Sequence, residues 1–246
     1  MRITIDTHTH FRRYGEWDCP LEELIALMDA YRIDRAVTGP MECNETGAAG
    51  FEEALRRIRP YEGRLRLMLW IHPALSGDAD TAEALLRRRG DLIACMKVHP
   101  QTARVPLGDP RYEPYLRLCR EHDLTLAVHT EPGPYSSADS LAAMAAAHPA
   151  VRFIAVHTEL RGDHSHAAEL IAKHPNLYGD TAFLPVREVR RAIDKCGADK
   201  FVFGSDAPIF GERYGETLEG LRSVLSPEEA QKLFHSNAVR LFRLGE

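Results

Sequence analysis

Short apolar runs rich in β-branched residues alternate along the chain with amphipathic stretches. The runs at 2–6, 35–39, 65–71, 92–98, 125–129, 152–157, 177–181 and 200–204 predict strands. Leu-Arg-Leu-Met-Leu-Trp-Ile and Val-Arg-Phe-Ile-Ala-Val are apolar on both faces, as strands buried on both sides of a parallel sheet must be. Helical periodicity fills the gaps, at 21–31, 51–59, 79–89, 112–121, 137–147, 167–173, 185–195 and 215–224. A further helix at 227–234 and a short tail around 238–242 close the chain. Eight strand-then-helix units at ~30 residues each match the size of a βαβ repeat. The fold class is therefore α/β: a (β/α)8 TIM barrel with a short C-terminal helical extension, spanning residues 1–246 as one domain. No GxGxxG follows the first strand and no GxxxxGK[ST] occurs, so neither motif supports nucleotide binding.

Composition narrows the class. The 246 residues are 44% hydrophobic and 27% charged, which excludes wholesale disorder. The net charge is −5 and no basic stripe appears, so no nucleic-acid or anionic-membrane partner is expected. Arg87-Arg88-Arg89 falls at a helix C-terminus, where it suits the helix dipole. No apolar stretch reaches ~18 residues, so no membrane span is expected. The five cysteines form no CxxC pair and read as free thiols in a reducing cytoplasm. Cys43 lacks an identifiable partner base and is not read as a nucleophile.

The chemistry lies at the strand ends. His8 and His10 end the first strand, His72 the third, His99 the fourth, His129 the fifth and His157 the sixth, and Asp206 follows the eighth. In a barrel these ends converge on the rim that carries active sites. Residues i and i+2 of a strand share a face, so His8 and His10 can reach one cation. His129 and Asp206 can complete the set. Three imidazoles and a carboxylate suit Zn²⁺, and Mn²⁺, Co²⁺ or Fe²⁺ fit the same donors. A lone histidine is usually a satisfied core or cap residue; six on five strand ends of one barrel are not explained that way.

Asp6-Thr-His8-Thr-His10, His129, His157 and Gly204-Ser-Asp206, in this order, resemble the amidohydrolase superfamily. Lys97-Val-His99-Pro100 resembles its amidohydrolase-2 branch, which includes aminocarboxymuconate-semialdehyde decarboxylase and 2-pyrone-4,6-dicarboxylate lactonase. Asn237-Ala238 with Leu241-Phe242 is similar to the C-terminal helix of that branch. The resemblance implies His8, His10, His129 and Asp206 as metal ligands. It also implies His157 as a polarising or proton-handling group, and Asp206 as both ligand and proton acceptor. One ion is expected, with Lys97 an ammonium. In a dinuclear centre a carboxylated Lys97 would bridge, and His157 would join the ligands. A bound Zn²⁺ lowers the pKa of a water to ~7, and a neighbouring carboxylate can take its proton.

Arg13, Trp70, His72, Lys97 and His99 form the candidate substrate-facing set. Arg12, Arg104, Arg161 and Arg213 are further rim arginines able to clamp a carboxylate. Glu131 and Glu159, next but one to His129 and His157, fit equally as imidazole partners or as caps. His122, His148 and His174 fit helix C-termini and carry no assigned role.

The reaction implied is hydrolysis of an amide, lactone or ester of a small molecule. Nonoxidative decarboxylation is the alternative on the same ligands. A TatD-like nuclease also opens with HxH, but expects a Glu near strands that here carry Trp70 and Lys97. A non-catalytic binding barrel would show degraded ligands, and none are degraded. The sequence does not give the oligomeric state, and soluble enzymes of this kind often form symmetric homodimers.

Overall fold

The computed structural model describes residues 3–208 and 213–245. Arg2, the expected start of the first strand, lies outside the described residues. The strands are β1 (Ile5–Tyr14), β2 (Trp17–Cys19), β3 (Arg35–Pro40), β4 (Leu65–Trp70), β5 (Ile93–Val98), β6 (Thr125–His129), β7 (Arg152–Val156), β8 (Leu177–Asp180) and β9 (Phe201–Val202). They form one sheet in the order β2-β1-β3-β4-β5-β6-β7-β8-β9. All neighbours are parallel except the β1–β2 hairpin.

Backbone hydrogen bonds carry the sheet on from β9 to β1. The Thr7 N–H donates to the Phe203 carbonyl at 2.9 Å, the Asp206 N–H to His8 at 2.8 Å, and the His10 N–H to Ala207 at 2.7 Å. Thr9 and Ala207 form a parallel bridge. The eight parallel strands thus close into the (β/α)8 barrel that the alternation predicts. β9 is only two residues long, shorter than 200–204, because the chain beyond it turns at Ser205 and Asp206 to reach β1. β1 is longer than expected because it continues into the hairpin with β2. That hairpin, three residues on its return strand, is too short to leave a period-2 signal.

Two apolar layers result. Leu24, Phe51, Leu85, Leu118, Leu141, Ile171 and Leu221 belong to the layer that packs helices on the outside of the strands. Ile5, Val37, Met68, Ala127, Ile154 and Val202 fill the barrel interior together with Ala238, Leu241 and Phe242 of the last helix. This helix, Asn237–Phe242, is the expected C-terminal extension, packed into the barrel core. Asn237 pins it: its Nδ2 donates to the carbonyls of Ala198 and Phe201, both at 2.7 Å. The helix expected at 227–234 instead ends at Gln231 and continues as a π-helical turn, Lys232–Ser236. In this turn the Leu233 carbonyl accepts the Phe203 N–H at 3.0 Å, a bond that helps seat the closing strand. Among the described residues no helix is long and apolar enough to cross a membrane.

Phe242 is 3% exposed within the interior layer. Phe242→Ala should cost about 3–5 kcal/mol of stability by equilibrium urea unfolding. A loss below about 1 kcal/mol would show that the helix does not seal the core.

Candidate metal centre

Between Asp6 and Thr9 the β1–β3 register shifts: three residues of β1 advance against two of β3, from Asp6 opposite Ala36 to Thr9 opposite Thr38. A bulge of this kind re-aims side chains, and it lies where His8 leaves the ladder. The hydroxyls of Thr7 and Thr9 are tied to the Phe203 and Val37 carbonyls of the flanking strands. The imidazoles of His8 and His10 stand edge to face, with ring centroids 5.0 Å apart.

Their outer nitrogens are committed. His8 Nδ1 lies 2.7 Å from Asp180 Oδ2, and His10 Nδ1 lies 3.1 Å from the Gly39 carbonyl. Both partners are acceptors, so both Nδ1 atoms carry the hydrogen. With Nδ1–H committed, Nε2 is the nitrogen each ring can offer as a lone pair, and the two Nε2 atoms face each other at 3.1 Å. Asp206 Oδ1 joins them, 3.0 Å from His10 Nε2 and 3.5 Å from His8 Nε2. Three electron-pair donors meeting in a buried pocket repel unless a cation or proton lies between them. Nitrogens 2.0–2.1 Å from Zn²⁺ at an angle of ~100° would be ~3.2 Å apart, so the pair fits a divalent transition metal ion.

Rings line the mouth in sequence. His8 and His157 have centroids 5.2 Å apart, His157 stands edge-on to His129 at 4.9 Å, and His129 stacks on His99 at 3.8 Å. Trp70 closes the other end beside His10, at 5.8 Å. Burial lowers the pKa of His8 and His129 well below the usual imidazole value, His157 to about 3 and His99 to about 4. These rings are neutral at physiological pH, the state a ligand needs. Lys97 is fully buried, 5.6 Å from the Trp70 ring. Burial lowers its pKa to about 8, against the opposing pull of Asp180 and Asp206.

The turn after β7 is strained. His157, Thr158 and Glu159 have φ of 67°, 45° and 69°. Left-handed conformation costs a non-glycine residue about 1–2 kcal/mol. Side-chain bonds offset it. The Thr158 hydroxyl donates to the Asp180 carbonyl at 2.8 Å, and the Glu159 N–H donates to Thr130 Oγ1 at 2.9 Å.

The structure brings His8, His10 and Asp206 together, one of two groups among the described residues whose donor atoms all lie within 4.8 Å of one another. The other is His8, His157 and Asp180. His129, an expected ligand, is in neither group. Its Nε2 is buried with no hydrogen-bond partner among the described residues, and Glu131 Oε2 lies 3.7 Å away. Glu131 thus stands beside an imidazole, whereas Glu159 caps a helix by accepting the Ala138 N–H at 3.0 Å. Of the substrate-facing set, Trp70, Lys97 and His99 join the mouth. His72 is buried at the end of β4, its N–H donating to Asp78 Oδ2 and its Nδ1 unpartnered. Arg13 is exposed on the hairpin, opposite Asp18 of β2. Arg12 is tied to Glu42 at 2.5 Å and Glu53 at 3.7 Å. Arg104, Arg161 and Arg213 are exposed. Burial pushes the Cys43 thiol up to about 12, which removes it as a nucleophile. His122, His148 and His174 do sit at helix C-caps.

Sequence reasoning missed Asp180, which is 1% exposed and ends the four-residue strand β8. The only available signal was a carboxylate closing an apolar run.

A family model described as amidohydrolase (amidohydrolase-2) matches residues 5–244, and the chain belongs to this family. Members of the amidohydrolase superfamily are enzymes. No curated protein matches the chain in sequence. Among solved structures, a zinc-bound amidohydrolase from Burkholderia multivorans is 18% identical with a TM-score of 0.77, covering 99% of this chain and 100% of its own. A probable 2-pyrone-4,6-dicarboxylic acid hydrolase from Acinetobacter baumannii, with citric acid bound, is 14% identical with a TM-score of 0.73, covering 98% and 99%. A dihydroxybenzoic acid decarboxylase from Polaromonas, with manganese and an inhibitor, is 16% identical with a TM-score of 0.74, covering 100% and 98%. All three share the fold.

Chelator-stripped protein should take up a divalent transition metal in a defined stoichiometry, measured by mass spectrometry of the dialysed protein. His8→Ala combined with His10→Ala should abolish tight uptake with the far-ultraviolet circular dichroism unchanged. Undiminished metal content in that variant would refute the assignment.

Proposed function

We propose that the protein is a metal-dependent hydrolase that cleaves an amide, lactone or ester bond of a small organic molecule. One divalent ion, Zn²⁺ or Mn²⁺, would be held by His8, His10 and Asp206, with His129 of β6 as a further candidate ligand. The observation that carries this reading is the 3.1 Å approach of two lone-pair nitrogens beside a carboxylate. A single ion is in keeping with His8, whose Nδ1 is hydrogen-bonded to Asp180 and leaves Nε2 as the nitrogen it can offer a cation. Lys97 then serves as an ammonium rather than a carboxylated bridge.

A cation held there supplies Lewis acidity, polarising a substrate oxygen or making a water acidic. The chain's own residues do the rest. Asp206 follows the closing strand in left-handed conformation (φ 62°), with its N–H on the His8 carbonyl. Its carboxylate accepts the proton of the attacking water and returns it to the leaving group. His157 is neutral, and its buried Nδ1 has no partner among the described residues. It is placed to hydrogen-bond a substrate oxygen as charge develops there. Trp70 Nε1 and His99 Nδ1 at the mouth are likewise buried without a hydrogen-bond partner among the described residues, polar atoms suited to orienting a small oxygen-bearing substrate. The net charge of −5 favours a small molecule over a nucleic acid as partner.

The same residues support nonoxidative decarboxylation, the reaction named for the structurally similar Polaromonas protein. In that reading Asp206 first takes a proton from a water or a substrate hydroxyl and then delivers it to the carbon that loses CO₂. The two readings separate on product. Hydrolysis of a lactone or ester panel releases acid without CO₂, whereas decarboxylation releases one CO₂ per turnover.

Asp206→Asn should keep the fold by circular dichroism yet lower kcat about 100- to 10,000-fold on a turned-over substrate, because proton acceptance is lost. Near-wild-type turnover in that variant would remove Asp206 from the chemistry.

A further inference from the structure

We infer that Asp180 is a positioning residue that sets the tautomer of the ligand His8 and, with its other oxygen, fixes the place of His157. The inference rests on the reading of His8, His10 and Asp206 as one metal site.

Asp180 divides its carboxylate between two strands. Oδ2 accepts the His8 Nδ1–H at 2.7 Å, and Oδ1 accepts the His157 N–H at 2.6 Å. Oδ1 also receives the Ala182 N–H at 3.3 Å, so both oxygens are occupied. The Asp180 carbonyl holds Thr158, the next residue of the left-handed turn. One side chain at the end of β8 thus grips a histidine of β1 and the strained turn after β7.

Each grip has a distinct consequence. Nδ1–H donation leaves His8 Nε2 as a lone pair aimed at His10 and Asp206, as metal binding requires. The N–H bond to His157 helps hold it at φ 67°, with its ring 5.2 Å from His8. The pair is packed from behind by Gly204. A Cβ there would lie 2.8 Å from His8 Cβ and 3.1 Å from Asp180 Oδ2. A bare backbone at residue 204 lets histidine and carboxylate meet.

Asn in place of Asp180 isolates the first role. Its Oδ1 can still accept the His157 N–H, but its amide presents hydrogens to His8 Nδ1. The ring must then carry its hydrogen on Nε2, the atom the cation needs.

The test uses Co²⁺ alone, titrated into chelator-stripped wild-type and Asp180→Asn proteins and followed by visible absorption. The wild type should bind one equivalent. The variant should bind about 10- to 100-fold more weakly, with a changed ligand-field spectrum. Amide hydrogen exchange at 157–159 should stay close to wild type in Asp180→Asn and accelerate in Asp180→Ala. Wild-type affinity and spectrum in Asp180→Asn would overturn the inference. So would two equivalents in the wild type falling to one in the variant, since Asp180 would then be a ligand. A wild type that binds no Co²⁺ would instead overturn the metal-site reading itself. Should the variants fail to fold, ¹⁵N-histidine NMR of Zn²⁺-loaded wild-type protein answers the same question. His8 should show the neutral Nδ1–H tautomer, and an Nε2–H signal would contradict the inference.

Discussion

Two imidazole nitrogens that meet at 3.1 Å beside a buried carboxylate are not at rest without positive charge between them. Neither ring can turn away cheaply. His8 is tied to a buried carboxylate and His10 to the Gly39 carbonyl, and releasing either donor would leave a buried polar group unpaired. The repulsion is therefore built in by the surrounding bonds, and a cation relieves it. Metal affinity and barrel architecture are in this sense the same problem. The backbone bonds that seat Asp206 beside His8 and Ala207 beside His10 also close the sheet between β9 and β1.

That closure explains why the site lies where it does. Asp206 donates its N–H to His8, and His10 donates its own to Ala207, so ligand placement and strand pairing share backbone bonds. Below them, the interior layer is completed by Leu241 and Phe242, and Asn237 holds their helix against β9. Destabilising the lower end of the barrel should therefore loosen the upper. On the opposite rim, the left-handed turn at His157 stores strain that its hydrogen bonds offset, which fixes a neutral ring beside the ligands without a glycine.

Much of this was legible in the sequence because it depends on period and order. Strand boundaries at 125–129, the helix at 21–31, the His8–His10 spacing and the late Asp206 all follow from local pattern plus barrel closure. Other features depend on contacts no local pattern encodes. Asp180 sits in a four-residue strand and acquires its meaning only from His8, 172 positions away. His129 follows its strand as expected, yet its ring stacks on His99 and stands apart from the tightest donor group. Arg13 has the right residue type after the right strand. Its place is set by the β1–β2 hairpin, whose three-residue return strand leaves no signal in the local pattern. The family match gives the class of enzyme, while similar folds carry both hydrolase and decarboxylase names, because loops rather than barrels choose the reaction.

The most direct measurement is X-ray absorption fine structure of the zinc-loaded protein, read together with anomalous diffraction from crystals of the same material. The account predicts an ion between His8, His10 and Asp206, with imidazole nitrogens at about 2.0–2.1 Å and a carboxylate oxygen at a similar distance. An ion bound elsewhere, or a coordination sphere without imidazole scattering, would contradict it.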